Sequence, residues 1–165
     1  MKIGFIGLGI MGESMCENIV KKHDDTVYCF DFVPAKVELL ASKGAVPCKD
    51  SVELATKADV IISMVPKSEH SMSVYKTILP VLCAGKTCID MSTIDPSVSV
   101  EISKIVKATG AAFMDARWSR ASPPPLPASW ASTWAATKLP VKLCAPSLLT
   151  WARTSSAWAA TARGW

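Results

Sequence analysis

An α/β fold built on a doubly wound parallel sheet is what this sequence predicts, and three observations carry the prediction. Short apolar runs alternate with helix-patterned segments from Lys2 to Ala116. The first run, Lys2-Ile3-Gly4-Phe5-Ile6, breaks into the Gly-x-Gly-x-x-Gly turn Gly7-Leu8-Gly9-Ile10-Met11-Gly12 and then into a helical pattern. The run Val60-Ile61-Ile62-Ser63-Met64-Val65 is almost wholly apolar, as a parallel strand covered on both faces must be.

Taken in order, strands are expected at about 2–7, 26–31, 60–65, 86–91 and 111–115, with a short one near 45–48. Helices are expected at about 10–22, 34–43, 51–57, 68–83 and 96–109. Pro34 and Pro96 suit first-turn positions, where a missing N–H costs nothing. Asp95 suits the N-cap before Pro96, and Ser51 is given the same role for its own helix. Gly44 and Gly110 suit helix C-termini.

The glycine turn is a dinucleotide-binding fingerprint, so the fold is Rossmann-like. Gly7 permits the tight turn out of the strand, Gly9 leaves room for a pyrophosphate, and Gly12 lets helix and strand approach. The amides around Ile10, Met11 and Gly12 then face the phosphates, helped by the positive end of the helix dipole. The second apolar strand, Thr26-Val27-Tyr28-Cys29-Phe30, ends in Asp31, about 20 residues beyond the last glycine, where an acid holds a ribose 2′-hydroxyl. An acid there repels a 2′-phosphate, so NAD is favoured over NADP. Ligands of such sheets bind outside the carboxyl ends of the strands. That rule adds Val65 and Pro66, Ser92 and Thr93, and Asp115. The plainer reading of Val65-Pro66 is a strand exit, and that of Ser92-Thr93 a turn before a helix cap. His70 is expected on an exposed helix face and His23 in a loop.

The segment Phe5-Ile6-Gly7-Leu8-Gly9-Ile10-Met11-Gly12-Glu13-Ser14-Met15-Cys16-Glu17-Asn18-Ile19 resembles the signature of the β-hydroxyacid dehydrogenases. Cys16 departs from it, where Ser or Ala is usual. Further matches are Met64-Val65-Pro66, Glu69-His70 through Val74-Tyr75, Asp90-Met91-Ser92-Thr93-Ile94-Asp95-Pro96 and Gly110-Ala111-Ala112-Phe113-Met114-Asp115-Ala116. The resemblance implies NAD(P)-dependent oxidation of a small 3-hydroxy acid to a semialdehyde by a homo-oligomeric enzyme. It also implies roles: the glycine loop and Asp31 would hold adenosine and pyrophosphate, Val65, Pro66 and Thr93 would line the cofactor, and Ser92 would sit near the substrate. In that family a Pro-Val-Ser-Gly-Gly substrate loop follows, and later a lysine acid/base opens an all-helical second domain. Here Arg117-Trp118-Ser119-Arg120 stands in place of the loop, and neither the lysine helix nor the helical domain has a counterpart. Lys138 and Lys142 match no family motif, so no catalytic residue is assigned.

Two domains of different vocabulary are therefore expected, residues 1–116 as a cofactor domain and 117–165 as an irregular or disordered tail. The first holds all 14 acidic residues and 12 lysines, for a net −2, with no tryptophan. The tail holds four arginines, two lysines, all six tryptophans and no acid, for +6. It resembles an out-of-frame translation. Joining the last base of each codon to the first two of the next allows residues 128–137 to be reread as Lys-Leu-Gly-Ile-Tyr-Val-Gly-Gly-Asp, with the free bases chosen. Residues 151–164 can be reread in the same way as a Gly-Lys-Asn-Val-Val-Arg segment followed by a glycine-rich one. Both look like the family's continuation, and the Gly codons are largely forced because TGG before GC always yields GGC. The rival is a real basic, aromatic tail for nucleic acid or an anionic membrane. Against it, the aromatics do not repeat and Pro123-Pro124-Pro125-Leu126-Pro127 forbids a helix.

Composition narrows the remaining classes. No apolar run reaches the ~18 residues of a membrane span. Six cysteines without C-x-x-C or metal spacing point to reduced thiols and no metal. The first strand begins at Lys2 with no presequence before it, which gives a cytoplasmic expectation, or a mitochondrial one if the source is eukaryotic.

Overall fold

The structure, a computed structural model, describes residues 1–116. Its elements run β1 (Ile3–Ile6), α1 (Ile10–Lys22), β2 (Val27–Phe30), α2 (Pro34–Ser42), β3 (Val46–Pro47), α3 (Ser51–Lys57), β4 (Val60–Ser63), α4 (Ser68–Ile78), β5 (Thr87–Asp90), α5 (Pro96–Ala108) and β6 (Ala112–Asp115). The six strands form one sheet in the order β3-β2-β1-β4-β5-β6. Every pairing is parallel. The expected doubly wound sheet is what forms; the tail at 117–165 lies outside the described residues.

Burial explains the strand sequences. All residues of β1 and β4 are buried, because helices cover both faces of the sheet. One helix group pairs α1 with α2, and the other packs α3 on α4 and α4 on α5. Each long helix buries one stripe at helical spacing: Gly12, Cys16 and Ile19 on α1, Ser71, Val74, Tyr75 and Ile78 on α4, Ser99, Ile102 and Val106 on α5. Pro47 sits in the short edge strand β3, where its missing N–H breaks no central ladder.

Two local expectations are corrected. The helix expected over 68–83 stops at Ile78 and tightens into a 3₁₀ turn at Leu79–Val81, since Pro80 cannot donate back along an α-helix. The N-cap of α3 is Asp50, not Ser51: the Asp50 carboxylate accepts the Glu53 amide at 2.7 Å, while the Glu53 side chain accepts the Lys49 amide. Ser51 is the first helical residue and is buried. Asp95 caps α5 as expected, accepting the Ser97 amide. Gly44 and Gly110 follow the last residues of α2 and α5 with positive φ. His70 is exposed on α4, and His23 follows the end of α1.

The core holds groups that resist ionisation. Burial pushes the Cys16 and Cys88 thiols up to about 12 and Cys29 to about 11. Tyr75, fully buried against Phe113, is raised well above its ordinary value by the same cause. All four are therefore protonated in the folded chain where the unfolded chain has begun to lose its protons. Their contribution to stability is complete below the unfolded values and is lost as pH rises through the folded ones. Thermal melts under reducing conditions should hold up to about pH 9 and then fall by roughly 10 °C or more by about pH 11. A melting temperature unchanged across that range would contradict this assignment.

Candidate functional site

Register brings the strand ends into one row. Ile6 lies opposite Phe30 on one side and Ser63 on the other; Ser63 pairs with Asp90, and Asp90 with Asp115. The residues that follow therefore share one edge: Gly7 to Gly12, Asp31, Val65 and Pro66, Ser92 and Thr93. The chain leaves β1 toward β2 on one flank, and β4 occupies the other, so this edge contains the topological switch point of the sheet.

The glycine loop is shaped by close approach. Gly7 turns with φ +93° and donates its N–H to the Phe30 carbonyl. A Cβ on it would strike the Met64 carbonyl oxygen. A Cβ on Gly12 would strike the Gly7 carbonyl oxygen and press on the Phe5 ring, so α1 lies against the loop. Around Gly9, by contrast, no atom of the described residues beyond its chain neighbours lies within 4 Å of a Cβ position. The helix starts there, as α2 and α4 do, with no side-chain cap among the described residues, whereas carboxylates cap α3 and α5. Those first-turn N–H groups have no partner within the helix by its geometry. An open backbone step under an uncapped helix N-terminus fits a pyrophosphate.

Asp31 does more than the sequence suggested. Its Oδ2 accepts the Leu8 amide at 2.6 Å and its Oδ1 accepts the Val33 amide at 2.8 Å. The carboxylate thus ties the glycine loop to the exit of β2 and faces the same edge. The Leu8 side chain is buried, so only its backbone belongs to the loop surface. Ile10 and Phe32, at 90% and 87% exposure, give the mouth of the edge apolar surface.

Beyond the switch point the ends of β4 and β5 carry a buried polar cluster. Asp90, 1% exposed, accepts the Ser92 amide at 2.9 Å on Oδ1 and the Ser71 hydroxyl on Oδ2. The Ser92 hydroxyl accepts the Val65 amide at 2.9 Å. Ser63 and Tyr75 share a hydroxyl–hydroxyl bond of 2.7 Å. Ser92 is itself 1% exposed, while Thr93 and Pro66 are exposed and Val65 is partly so. Asp115 accepts the Ser99 hydroxyl at 2.5 Å. Ser63, Ser71 and Tyr75 were not singled out as site residues by their positions in the sequence. The available signal was Asp90, a charge in the otherwise apolar run Cys88-Ile89-Asp90-Met91.

Among the described residues no group of three His, Cys, Asp or Glu side chains could hold a metal ion. No described helix is long and apolar enough to cross a membrane.

The family described as the NAD-binding domain of 6-phosphogluconate dehydrogenase matches residues 2–123. Mitochondrial 3-hydroxyisobutyrate dehydrogenase of Rattus norvegicus is 42% identical over 117 residues, which are 69% of this chain and 35% of that protein. The Mycobacterium tuberculosis 3-hydroxyisobutyrate dehydrogenase structure with L-serine superposes with a TM-score of 0.66 at 30% identity, covering 69% of this chain and 39% of that one. Psf3 in complex with NADP+ and 2-OPP superposes with a TM-score of 0.64 at 29% identity, covering 67% and 40%. The chain thus spans about a third of the length of the curated relatives it matches.

Proposed function

This chain belongs to the family of the NAD-binding domain of 6-phosphogluconate dehydrogenase, and on that premise we propose that residues 1–116 are the cofactor domain of an NAD-dependent dehydrogenase for a small 3-hydroxy acid. The substrate in this reading is 3-hydroxyisobutyrate and the product methylmalonate semialdehyde, a step of valine degradation. The observation that carries the reading is the uncapped, open glycine loop beside the Asp31 carboxylate. The resemblance to 3-hydroxyisobutyrate dehydrogenases supports the substrate class. The rat relative is named as mitochondrial, and a mitochondrial location is the alternative to a cytoplasmic one for this chain.

The roles follow from chemistry at the strand ends. The amides of Ile10, Met11 and Gly12 bind the pyrophosphate, with Gly7, Leu8 and Gly9 shaping the backbone beneath it. Asp31 accepts from the adenosine ribose, and NAD is preferred because a 2′-phosphate would meet that carboxylate. Val65, Pro66 and Thr93 line the far half of the cofactor, with Ser92 behind them at the substrate side. The bound cofactor supplies the hydride acceptor. Oxidation of an alcohol also needs a group to take the hydroxyl proton, and nothing in residues 1–116 is assigned that task. The 165-residue chain therefore binds the cofactor and does not turn over.

We assign residues 117–165 to an out-of-frame translation that begins near codon 116. Sequencing the source DNA across codons 110–125 and past codon 165 tests this: one base more near codon 116 restores the family's substrate loop. An unchanged sequence makes the tail real, and the chain is then a non-catalytic NAD-binding module with a basic tail. A dehydrogenase assay on the purified chain checks the inactivity, which turnover with any 3-hydroxy acid would contradict.

A further inference from the structure

We propose that Asp90 is a positioning residue for the nicotinamide half of the cofactor: its buried carboxylate fixes Ser92, whose hydroxyl holds the Val65 amide. The proposal rests on the cofactor reading above. Asp31 places the adenosine half over β2, so the other half lies across the ends of β4 and β5. The wall there consists of Val65 and Pro66 after β4 and Thr93 after β5. No strand ladder tethers these residues to one another, since the pairing of β4 with β5 ends at Ser63 and Asp90.

The ladder's place is taken by side chains. Asp90 accepts two hydrogen bonds, from the Ser92 amide and the Ser71 hydroxyl on α4. Its main-chain oxygen also accepts the Ala116 amide, so the exit of β6 is tied to the same residue. Ser92 then reaches across to β4 and accepts from Val65. A buried carboxylate is costly to desolvate and is retained only where its hydrogen bonds are made. Here it sits two residues before the segment it orients. Ser92, almost wholly buried, acts on the ligand through Val65 rather than by facing it.

The test compares two ligands on the full 165-residue chain by titration calorimetry: NADH, and ADP-ribose, which lacks the nicotinamide. Asp90→Ala should weaken NADH binding about tenfold and leave ADP-ribose within about twofold. Asp90→Asn should restore NADH binding, because its amide oxygen still accepts from Ser92 and its NH₂ can donate to the Ser71 hydroxyl. If Asp90→Ala does not fold, Ser71→Ala removes one donor from the same carboxylate and should cost NADH about threefold with ADP-ribose unchanged. Equal losses of both ligands, or no loss of either, overturn the positioning role. Wild-type chain that binds ADP-ribose but gains nothing from the nicotinamide also overturns it. Wild-type chain that binds neither overturns the cofactor reading and the proposal with it.

Discussion

Gly12→Ala should lower both stability and cofactor affinity, whereas Gly9→Ala should act mainly on affinity. The two glycines lie three residues apart, Gly9 at the N-cap and Gly12 in the first turn of α1, yet their surroundings differ. A methyl on Gly12 meets the Gly7 carbonyl oxygen, which is backbone and cannot swing aside like a flexible side chain, and it also crowds Phe5. The helix must move off the loop, a change in the range of overpacked cores, about 1–3 kcal/mol. That shift carries the first-turn amides away from the phosphates, so NAD affinity should fall by roughly a hundredfold or more. Gly9 has φ −63° and ψ −175°, a conformation open to any residue, and a Cβ position left empty by the described residues. Its change to Ala should cost no more than the N-cap preference, about 1 kcal/mol. The methyl would still stand where the pyrophosphate approaches, and affinity should fall about tenfold or more. Melting curves and NADH titrations of both variants check the pair. A Gly12→Ala protein as stable and as tight as the original would refute the close approach of α1.

Asp31→Ala is expected to have the second large effect, on affinity and on cofactor choice together. The carboxylate accepts from Leu8 and Val33, so its removal frees the glycine loop from the exit of β2. Hydrogen bonds to a charged group contribute about 1.5–3 kcal/mol each. The ribose contact is lost at the same time, and NAD binding should weaken by roughly tenfold to a hundredfold. NADP binding should weaken less, because the variant also loses the charge that repels its 2′-phosphate, and the preference for NAD should shrink toward parity. Asp31→Asn separates the two roles: its single amide oxygen can keep Leu8 in place while the charge is gone. Parallel titrations with NAD and NADP measure this. An unchanged NAD-to-NADP ratio in Asp31→Ala would show that Asp31 does not set the choice.

Much of the fold was legible because parallel sheets buried on both faces leave long apolar runs. Val60–Ser63 announces itself in this way, and the glycine spacing at Gly7, Gly9 and Gly12 fixes where β1 turns into α1. Boundaries were less legible where two residues compete for one role. Asp50 and Ser51 are both good caps, and only the backbone decides that Asp50 stands outside the helix. Pro80 could have been read as the stop of α4, but the apolar residues around it continued the helical pattern. The site divided in the same manner. Positions after strands followed from topology, so Asp31, Val65, Pro66, Ser92 and Thr93 were placed on one edge. What those side chains bond to depends on register between distant segments. The bond from Leu8 to Asp31 and the chain from Ser71 through Asp90 and Ser92 to Val65 join residues 19 to 27 apart, together with the neighbouring link from Asp90 to Ser92. No local pattern encodes the three long-range bonds.

The central claim, that residues 1–116 form a working dinucleotide site, is tested most directly by titrating NAD into the purified 165-residue chain in a calorimeter. Saturable binding of one NAD per chain, stronger than NADP and lost in Gly12→Ala, is the predicted result. No saturable binding of either dinucleotide to a chain that melts cooperatively would contradict it.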